Sequence, residues 1–468
     1  MSEGMRKKPY VKPTIKKISF AGVEGFNGGA GRETTFTDIE GCSIQDLVRQ
    51  YGSPLFVVAE NVLRESYRLL HQAFNELYTK STIAYSYKTN YLSAICAVLH
   101  SEGAWAEVVS GLEYEMARNL HVDGSRIIFN GPYKKPRELE RAFMEGAAVN
   151  IDSFDELEAA EAAGLATGKK GRVGVRVNMQ LNHPAWDKFG FSLEGGEAYE
   201  ACRRIAHSRS LHLAGLHCHA GTYIIDLGVY RKVMENLVSL AMNVQTGLDA
   251  EWEYLDIGGG FPSKNTLNTM LMHADTLNPP LTQYAGAVCG VLNRRLHEFK
   301  KPPRLLLEPG RSVVDECMSL LTTVCAVKKN SEGLRFAIVD AGVNLLPTAF
   351  YYRHDLALAG RGPAFSGRSD SEDAGKTETI DIFGPLCMQI DVLRRQAQLP
   401  EIVKGDILII RNAGAYNFSQ SMQFINPRPA IVLLNRGDAH IIRRAERYED
   451  IKGLEDVPKR LMKAPAEE

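Results

Sequence analysis

Tyr254-Leu255-Asp256-Ile257-Gly258-Gly259-Gly260-Phe261-Pro262 is a short apolar run that ends in three consecutive glycines. It has the length and content of a buried strand, and the glycines let the backbone turn and approach a ligand without a Cβ in the way. Seven comparable runs precede it: Leu55-Phe56-Val57-Val58, Thr82-Ile83-Ala84-Tyr85, Ala106-Glu107-Val108-Val109, Arg126-Ile127-Ile128-Phe129, Ala148-Val149-Asn150-Ile151, Val173-Gly174-Val175-Arg176-Val177 and Leu213-Ala214-Gly215-Leu216-His217. Amphipathic segments lie between them; Leu63, Leu70, Phe74 and Leu77 recur at helical spacing, and the stretch from Leu157 to Ala163 is rich in Ala and Glu. Strand and helix alternating from about Pro54 to Pro309 predict parallel strands wrapped by helices, and eight strands predict an α/β fold of the (β/α)8 TIM-barrel type rather than an open sheet.

After Arg311 the pattern changes to strands and loops, as in Phe336-Ala337-Ile338-Val339-Asp340, Thr379-Ile380-Asp381-Ile382-Phe383 and Ile407-Leu408-Ile409-Ile410. The expected layout is an N-terminal tail (1–32), a strand region that joins the C-terminal domain (33–53), the barrel (54–315), a β-rich C-terminal domain (316–445) and a C-terminal tail (446–468). The 468 residues exceed what one core holds. Apolar content of 44%, charged content of 24% and a net charge of -1 fit a globular enzyme with small-molecule partners and give no field that would hold nucleic acid. No apolar run approaches the roughly 20 residues that cross a bilayer, and the basic start lacks an apolar core and cleavage site, so a cytoplasmic protein without a membrane partner is expected. The eight cysteines are scattered without a CxxC pair and read as reduced thiols.

Lys88, in Ala84-Tyr85-Ser86-Tyr87-Lys88-Thr89-Asn90, falls just past the second predicted strand, at the end where barrel enzymes gather catalytic groups. A lysine amine there can form a Schiff base with an aldehyde cofactor; a solvated strand end is the alternative. Gly258, Gly259 and Gly260 follow the last predicted strand, where backbone N–H groups of this fold bind phosphate, although an ordinary tight turn would use the same residues. The GxGxxG spacing of a dinucleotide site is absent. Glu308-Pro309-Gly310-Arg311 offers a carboxylate for a pyridine nitrogen and a guanidinium for a phosphate, or else a surface salt bridge. Gly414-Ala415-Tyr416 adds a third glycine-bearing segment to such a cradle.

His217-Cys218-His219-Ala220-Gly221-Thr222 ends the seventh predicted strand, and alternation puts His217 and His219 on one face, where a ring could lie flat on a cofactor. A zinc pair is the competing reading, but third and fourth ligands are not nearby in the sequence, so no metal is expected. In Gly384-Pro385-Leu386-Cys387-Met388-Gln389-Ile390-Asp391 the thiol could donate a proton to a carbanion, or be a buried cysteine in a turn. Lysine, carboxylate and phosphate cradle together point to pyridoxal 5'-phosphate.

From about Gly52 to Ile442 these six motifs, in this order, resemble the alanine-racemase-type pyridoxal-phosphate decarboxylases, and among them the diaminopimelate decarboxylases. The resemblance implies that Lys88 holds the cofactor, that His219 stacks on its ring, and that Gly258, Gly259, Gly260, Glu308, Gly310, Arg311 and Tyr416 meet its phosphate and ring nitrogen. It implies that Cys387 is supplied across a dimer interface, hence a homodimer with shared active sites. The activity implied is loss of carbon dioxide from an amino acid whose amine has displaced Lys88, with Cys387 or Lys88 returning a proton to the α-carbon.

The substrate end departs from that pattern. Such enzymes usually carry Cys-Glu-Ser where this chain has Cys387-Met388-Gln389, and an Arg-Pro pair where it has Leu346-Pro347-Thr348. Met388 therefore becomes a candidate substrate contact, and Arg353 or Arg176 a candidate cation for a second carboxylate, with a barrel-wall salt bridge as the alternative for Arg176. Of the usual pattern over Asn178 to Gly190, only Lys188-Phe189-Gly190 is kept. Diaminopimelate and a different amino acid, conjugated or carrier-bound, both remain as substrate readings. A racemase or a non-catalytic regulatory homologue are the further alternatives.

Overall fold

In a computed structural model, which describes residues 35–181, 186–270, 272–360 and 377–462, eight parallel strands close into a barrel. They are Ser81–Ser86, Trp105–Val108, Ile127–Phe129, Ala148–Ile151, Gly171–Asn178, Leu211–His217, Tyr254–Asp256 and Arg304–Leu307, and the last pairs back to the first through Leu305 and Ser81. Most of their side chains are buried, because helices cover the outer face and side chains fill the inner one.

The helix Glu60–Asn75 shows how the wall is covered. Its Leu63, Tyr67, Leu70 and Phe74 point inward, each burial stabilising by about 1.5–3 kcal/mol. The helix stops before Leu77, which is 46% exposed and does not extend the stripe as expected. Phe154–Thr167 begins where the Ser153 hydroxyl accepts the Glu156 N–H at 3.2 Å and ends at Gly168 in the left-handed region, φ 67°.

Leu55–Ala59, expected as the first barrel strand, belongs to the other sheet, antiparallel to Met318–Lys329 and parallel to Ile431–Asn435. Its five buried residues read alike in the middle of either sheet, so composition alone does not assign it. Phe56 and Val58 pack into the core shared with the barrel, while Leu55 and Val57 face a second cluster with Ile44 and Leu47. The true eighth barrel strand is Arg304–Leu307, directly before Glu308. The count therefore shifts: Lys88 follows the first strand rather than the second, Arg176 lies on the fifth, His217 closes the sixth, and the three glycines follow the seventh.

Beyond the barrel, Met318–Lys329 is the axis of a ten-stranded sheet, pairing with Leu55–Ala59 and Ile407–Ile410 along its first half and with Arg335–Val339 along its second. The expected strands are present as Arg335–Val339, Thr377–Phe383 and Ile407–Ile410, and Thr35–Phe36 joins the same sheet beside Leu356–Ala359. The tail expected over 1–32 and the last residues of the C-terminal tail, 463–468, lie outside the described residues. Among the described residues, no helix is long and apolar enough to cross a membrane.

Candidate active site

The first barrel strand passes at Ser86 into a single 3-10 turn, Tyr87–Thr89, which sets Lys88 at the carboxyl end of the barrel. Its Nζ donates to Glu107 Oε2 at 2.6 Å and to Ser86 Oγ at 2.7 Å. Glu107 is buried, whereas 38% of the Lys88 side chain is open. Burial pulls the Lys88 pKa down, but the charges of Glu107, then Tyr416 and Glu308, outweigh it and hold the amine above the ordinary lysine value.

Asn130 joins the two active-site carboxylates. Its Nδ2 donates to Glu107 Oε1 at 3.0 Å and to Glu308 Oε1 at 2.5 Å. The second oxygen of Glu308 lies 3.3 Å from His217 Nε2. Burial, then the charge of Glu308, drives Asp256 well above the carboxylate range. Glu308 is desolvated too, yet His217 and Lys88 draw it below that range, so of the two carboxyls it is Glu308 that carries the charge. Ligand atoms of His217, Asp256 and Glu308 lie within 4.8 Å of one another, a set that a cation could use, although an Asp256 held neutral is a poor ligand.

The sixth strand ends at His217, so strict alternation does not carry on to His219, and the two imidazoles have different partners. The Gly259 N–H donates to His219 Nδ1 at 2.9 Å, which leaves the ring proton on Nε2. Burial, then the charges of Lys88 and Arg176, push the His219 pKa down to about 3. The glycines are needed for packing as much as for conformation. Gly258 has φ +66°, and a Cβ there would lie 2.6 Å from His219 Nδ1; a Cβ on Gly259 would overlap the Glu308 carbonyl oxygen, and one on Gly260 would crowd the Gly221 carbonyl.

Gly310 presses against the lysine turn in the same way, since a Cβ there would overlap Thr89 Oγ1. Arg311 follows it, nearly buried, with its guanidinium 4.6 Å from the Tyr352 ring and 5.1 Å from the Tyr416 ring. Its Nη1 is 3.8 Å from Asp315 Oδ2, and its Nε and Nη1 have no hydrogen-bond partner. Buried donors rarely stay unpaired, and this fork could hold an anionic group. Asp315 ties the surrounding segments together: it accepts from Ser263 Oγ, from Asn265 Nδ2 at 2.9 Å and from the Ala415 N–H at 3.1 Å. Burial, resisted by Arg311, pushes its carboxyl up to about 6. Tyr416 sits at φ +63° with its N–H on the Thr89 carbonyl at 2.9 Å, so the lysine turn, Arg311 and Tyr416 form one assembly.

The proposed substrate residues are more dispersed. Arg176 is buried, 3.2 Å from Asp152 Oδ1 and stacked 4.3 Å over Phe189, beside a cleft that Trp186 and His219 also line. Arg353 donates to the Met270 carbonyl at 2.6 Å. Thr348 is buried, 2.7 Å from Asn417 Oδ1 and 2.8 Å from His354 Nε2. Cys387 is exposed and Met388 half-buried, on a loop whose shape Asp391 fixes by accepting the Leu386 N–H at 2.7 Å and the Val343 N–H at 2.8 Å. Within one chain, therefore, Lys88, His219, the glycines, Glu308, Arg311 and Tyr416 share one assembly, and the partners of Lys88 are Ser86 and Glu107 rather than Cys387. Sequence reasoning passed over Glu107, Asn130, Asp256 and Asp315; the available signal was a polar residue inside an otherwise apolar strand, as in Ala106-Glu107-Val108.

A parallel barrel with an ion-paired lysine at its carboxyl end, and a nearby arginine that keeps two donors without hydrogen bonds, has the groups for amine chemistry on an anionic ligand. Residues 63–315 match the family described as "Pyridoxal-dependent decarboxylase, pyridoxal binding domain", and the chain belongs to that family of decarboxylases. It is 31% identical to the diaminopimelate decarboxylase of Methanothermobacter thermautotrophicus over 442 residues, 91% of this chain and 96% of that one. It is likewise 31% identical to the diaminopimelate decarboxylase of Aquifex aeolicus, over 88% of this chain and 94% of that one. The solved diaminopimelate decarboxylase of M. jannaschii in complex with L-lysine superposes with a TM-score of 0.81 at 26% identity, over 90% of this chain and 96% of that one.

Proposed function

We propose that this decarboxylase removes a carboxylate from diaminopimelate, giving lysine, with pyridoxal 5'-phosphate bound among Lys88, His219, Gly258, Gly259, Gly260, Glu308, Gly310, Arg311 and Tyr416. The observation that carries the substrate reading is 31% identity, held over 96% of its length, to a diaminopimelate decarboxylase. The cofactor belongs to the family, and the residues fit it: the Arg311 Nε and Nη1 donors lack partners, and the glycine backbone is hemmed in without side chains.

When bound, pyridoxal phosphate supplies an aldehyde for an amine and a protonated ring that accepts the electron pair left as carbon dioxide departs. The chain supplies the rest. Arg311 and the backbone N–H groups of the glycine loop take the phosphate charge. Glu308, ionised, keeps a ring nitrogen protonated. Neutral His219 offers a flat face for the ring. Lys88 Nζ would be the amine that holds the cofactor's aldehyde group, and Glu107 and Ser86 hold that amine in place. Cys387 or Lys88 would return a proton to the α-carbon.

The Lys88 amine bonds to Ser86 and Glu107 while Cys387 is exposed on a separate loop, and this supports a thiol supplied from a second copy, hence a homodimer with shared active sites. Its exposure, and that of Ile390 (57%), Phe424 (42%) and Ile425 (57%), fit a surface covered by a second copy.

A second reading, in which the substrate is a different amino acid, conjugated or carrier-bound, is favoured by the distal groups. Met388 offers no charge, Thr348 is engaged by Asn417, and Arg353 is held by the Met270 carbonyl. Incubating the cofactor-loaded protein with meso-diaminopimelate and measuring lysine by mass spectrometry separates the two. Lysine formation supports diaminopimelate; its absence from an enzyme with a normal bound-cofactor absorbance transfers the case to the second reading.

A further inference from the structure

Hydrogen bonds run through the barrel from its floor to the lysine at its mouth. Tyr254, the first residue of the seventh strand, lies at the amino end, buried in a layer of Ala84, Ile128, Ala148, Ala214 and Leu306. Its hydroxyl donates to Asn150 Oδ1 at 2.7 Å. Asn150 Nδ2 donates to Asn130 Oδ1 at 2.8 Å. Asn130 Nδ2 then serves Glu308 and Glu107, and Glu107 holds Lys88. Three strands carry Glu107, Asn150 and Tyr254, three more end just before Lys88, Asn130 and Glu308, and the remaining two make room for the chain of bonds. A Cβ on Gly174 would overlap both Asn150 Oδ1 and the Tyr254 hydroxyl, and one on Gly215 would overlap the Tyr254 ring. Glycine weakens a strand interior, so its presence at both positions is explained by the close approach it permits.

We propose that Tyr254 is a positioning residue for the lysine site: its hydroxyl fixes the polarity of the Asn150 and Asn130 amides, so that N–H groups rather than an amide oxygen face Glu107 and Glu308. An amide has one donating and one accepting end. Asn150 can spend its N–H on Asn130 at no loss only while its own oxygen is satisfied, and Tyr254 satisfies it. With the amides reversed, the Asn130 oxygen would face two carboxylates. Burial raises the Tyr254 pKa, so the hydroxyl remains a donor at every working pH. The inference rests on the reading of Lys88 and Glu308 as cofactor-binding groups.

The test is Tyr254→Phe in the full-length, cofactor-loaded protein, which keeps the ring and removes the hydroxyl. The expected result is a folded enzyme with cofactor bound, whose pH midpoint for the bound-cofactor absorbance moves by about half a unit or more and whose kcat falls by about tenfold with KM little changed. Asn150→Asp, which still accepts from Tyr254 but offers Asn130 an oxygen in place of an N–H, should move the same midpoint; it carries the test if Tyr254→Phe does not fold. A wild-type midpoint and kcat in either folded variant overturns the inference. Lys88→Ala separates the two levels: a bound-cofactor spectrum and pH midpoint left unchanged by it overturn the reading of the site and the inference with it, whereas a midpoint that depends on Lys88 but ignores Tyr254→Phe overturns the inference alone.

Discussion

Lys88 Nζ and Glu107 Oε2 stand 2.6 Å apart, the lysine partly open to the mouth of the barrel and the carboxylate sealed beneath it. Burial works to strip the lysine of its proton, and Glu107 is the foremost group that keeps it charged. Glu107→Gln retains the hydrogen-bonding shape and removes that charge, so the amine pKa falls. Because only the neutral amine attacks an aldehyde, reconstitution of the cofactor-free variant should reach half its maximal rate at a pH about one unit or more below the wild-type midpoint. Stopped-flow absorbance against pH checks this, and an unmoved midpoint counts against Glu107 as the controlling charge.

Arg311 has two donors without hydrogen-bond partners and a guanidinium already packed against Tyr352 and Tyr416. Arg311→Gln should weaken cofactor binding by about tenfold to a hundredfold, the worth of one charge-assisted contact of about 1.5–3 kcal/mol. Equilibrium dialysis gives the constant. Arg311→Lys should recover only part of the loss, since a lysine ammonium cannot reproduce the planar fork or stack between the rings.

The barrel was legible from the sequence because seven of its eight strands are short apolar runs between helical stripes; the one misassigned strand, Leu55–Ala59, is buried on both faces and carries no mark of which sheet receives it. The Arg304–Leu307 strand was overlooked because four residues beginning with arginine hardly exceed background. At the site, Lys88, Glu308 and Arg311 stand out because each borders a turn with glycine or a strand end. Glu107, Asn130 and Asp315 do not: their importance comes from partners tens to hundreds of residues away, as with Asn130 and Glu308, and no local pattern records such pairings.

His219 contributes an acid-sensitive term to the stability of the cofactor-free protein. Its folded pKa is about 3, against about 6.5 for an unfolded histidine, so between those values the unfolded chain binds the extra proton. The contribution of His219 to stability therefore falls as pH drops from 6.5, by the order of 1–2 kcal/mol at pH 4.5 once partial exposure is allowed for. Glu113, raised by burial to about 7, and Asp315, raised by burial to about 6, act in the opposite sense over this range, since the folded protein binds their protons first. The contribution of His219 is isolated by comparison with His219→Gln, whose Tm should gain on that of the wild type as pH drops from 7 to 4.5. Equal slopes in the two proteins rule the histidine out as the source.

Cys387 poses the sharpest question about assembly. The loop from Gly384 to Asp391 is held by a buried carboxylate that accepts two backbone N–H groups, so the exposed thiol rides on a rigid support. Rigidity without a contact to the lysine of the same chain has a clear use if the thiol belongs to the site of a second copy. In that arrangement Lys88→Ala and Cys387→Ala each disable a site, but they disable different halves of it. Unfolding and refolding the two inactive variants together should then restore decarboxylation that neither shows alone, because a mixed dimer contains one site with both residues intact. If each site is completed within one chain, the mixture stays as inactive as its parents. Sedimentation of the mixture, run alongside the assay, confirms that dimers have formed, so that silence in the assay speaks against the shared site and not against reassociation.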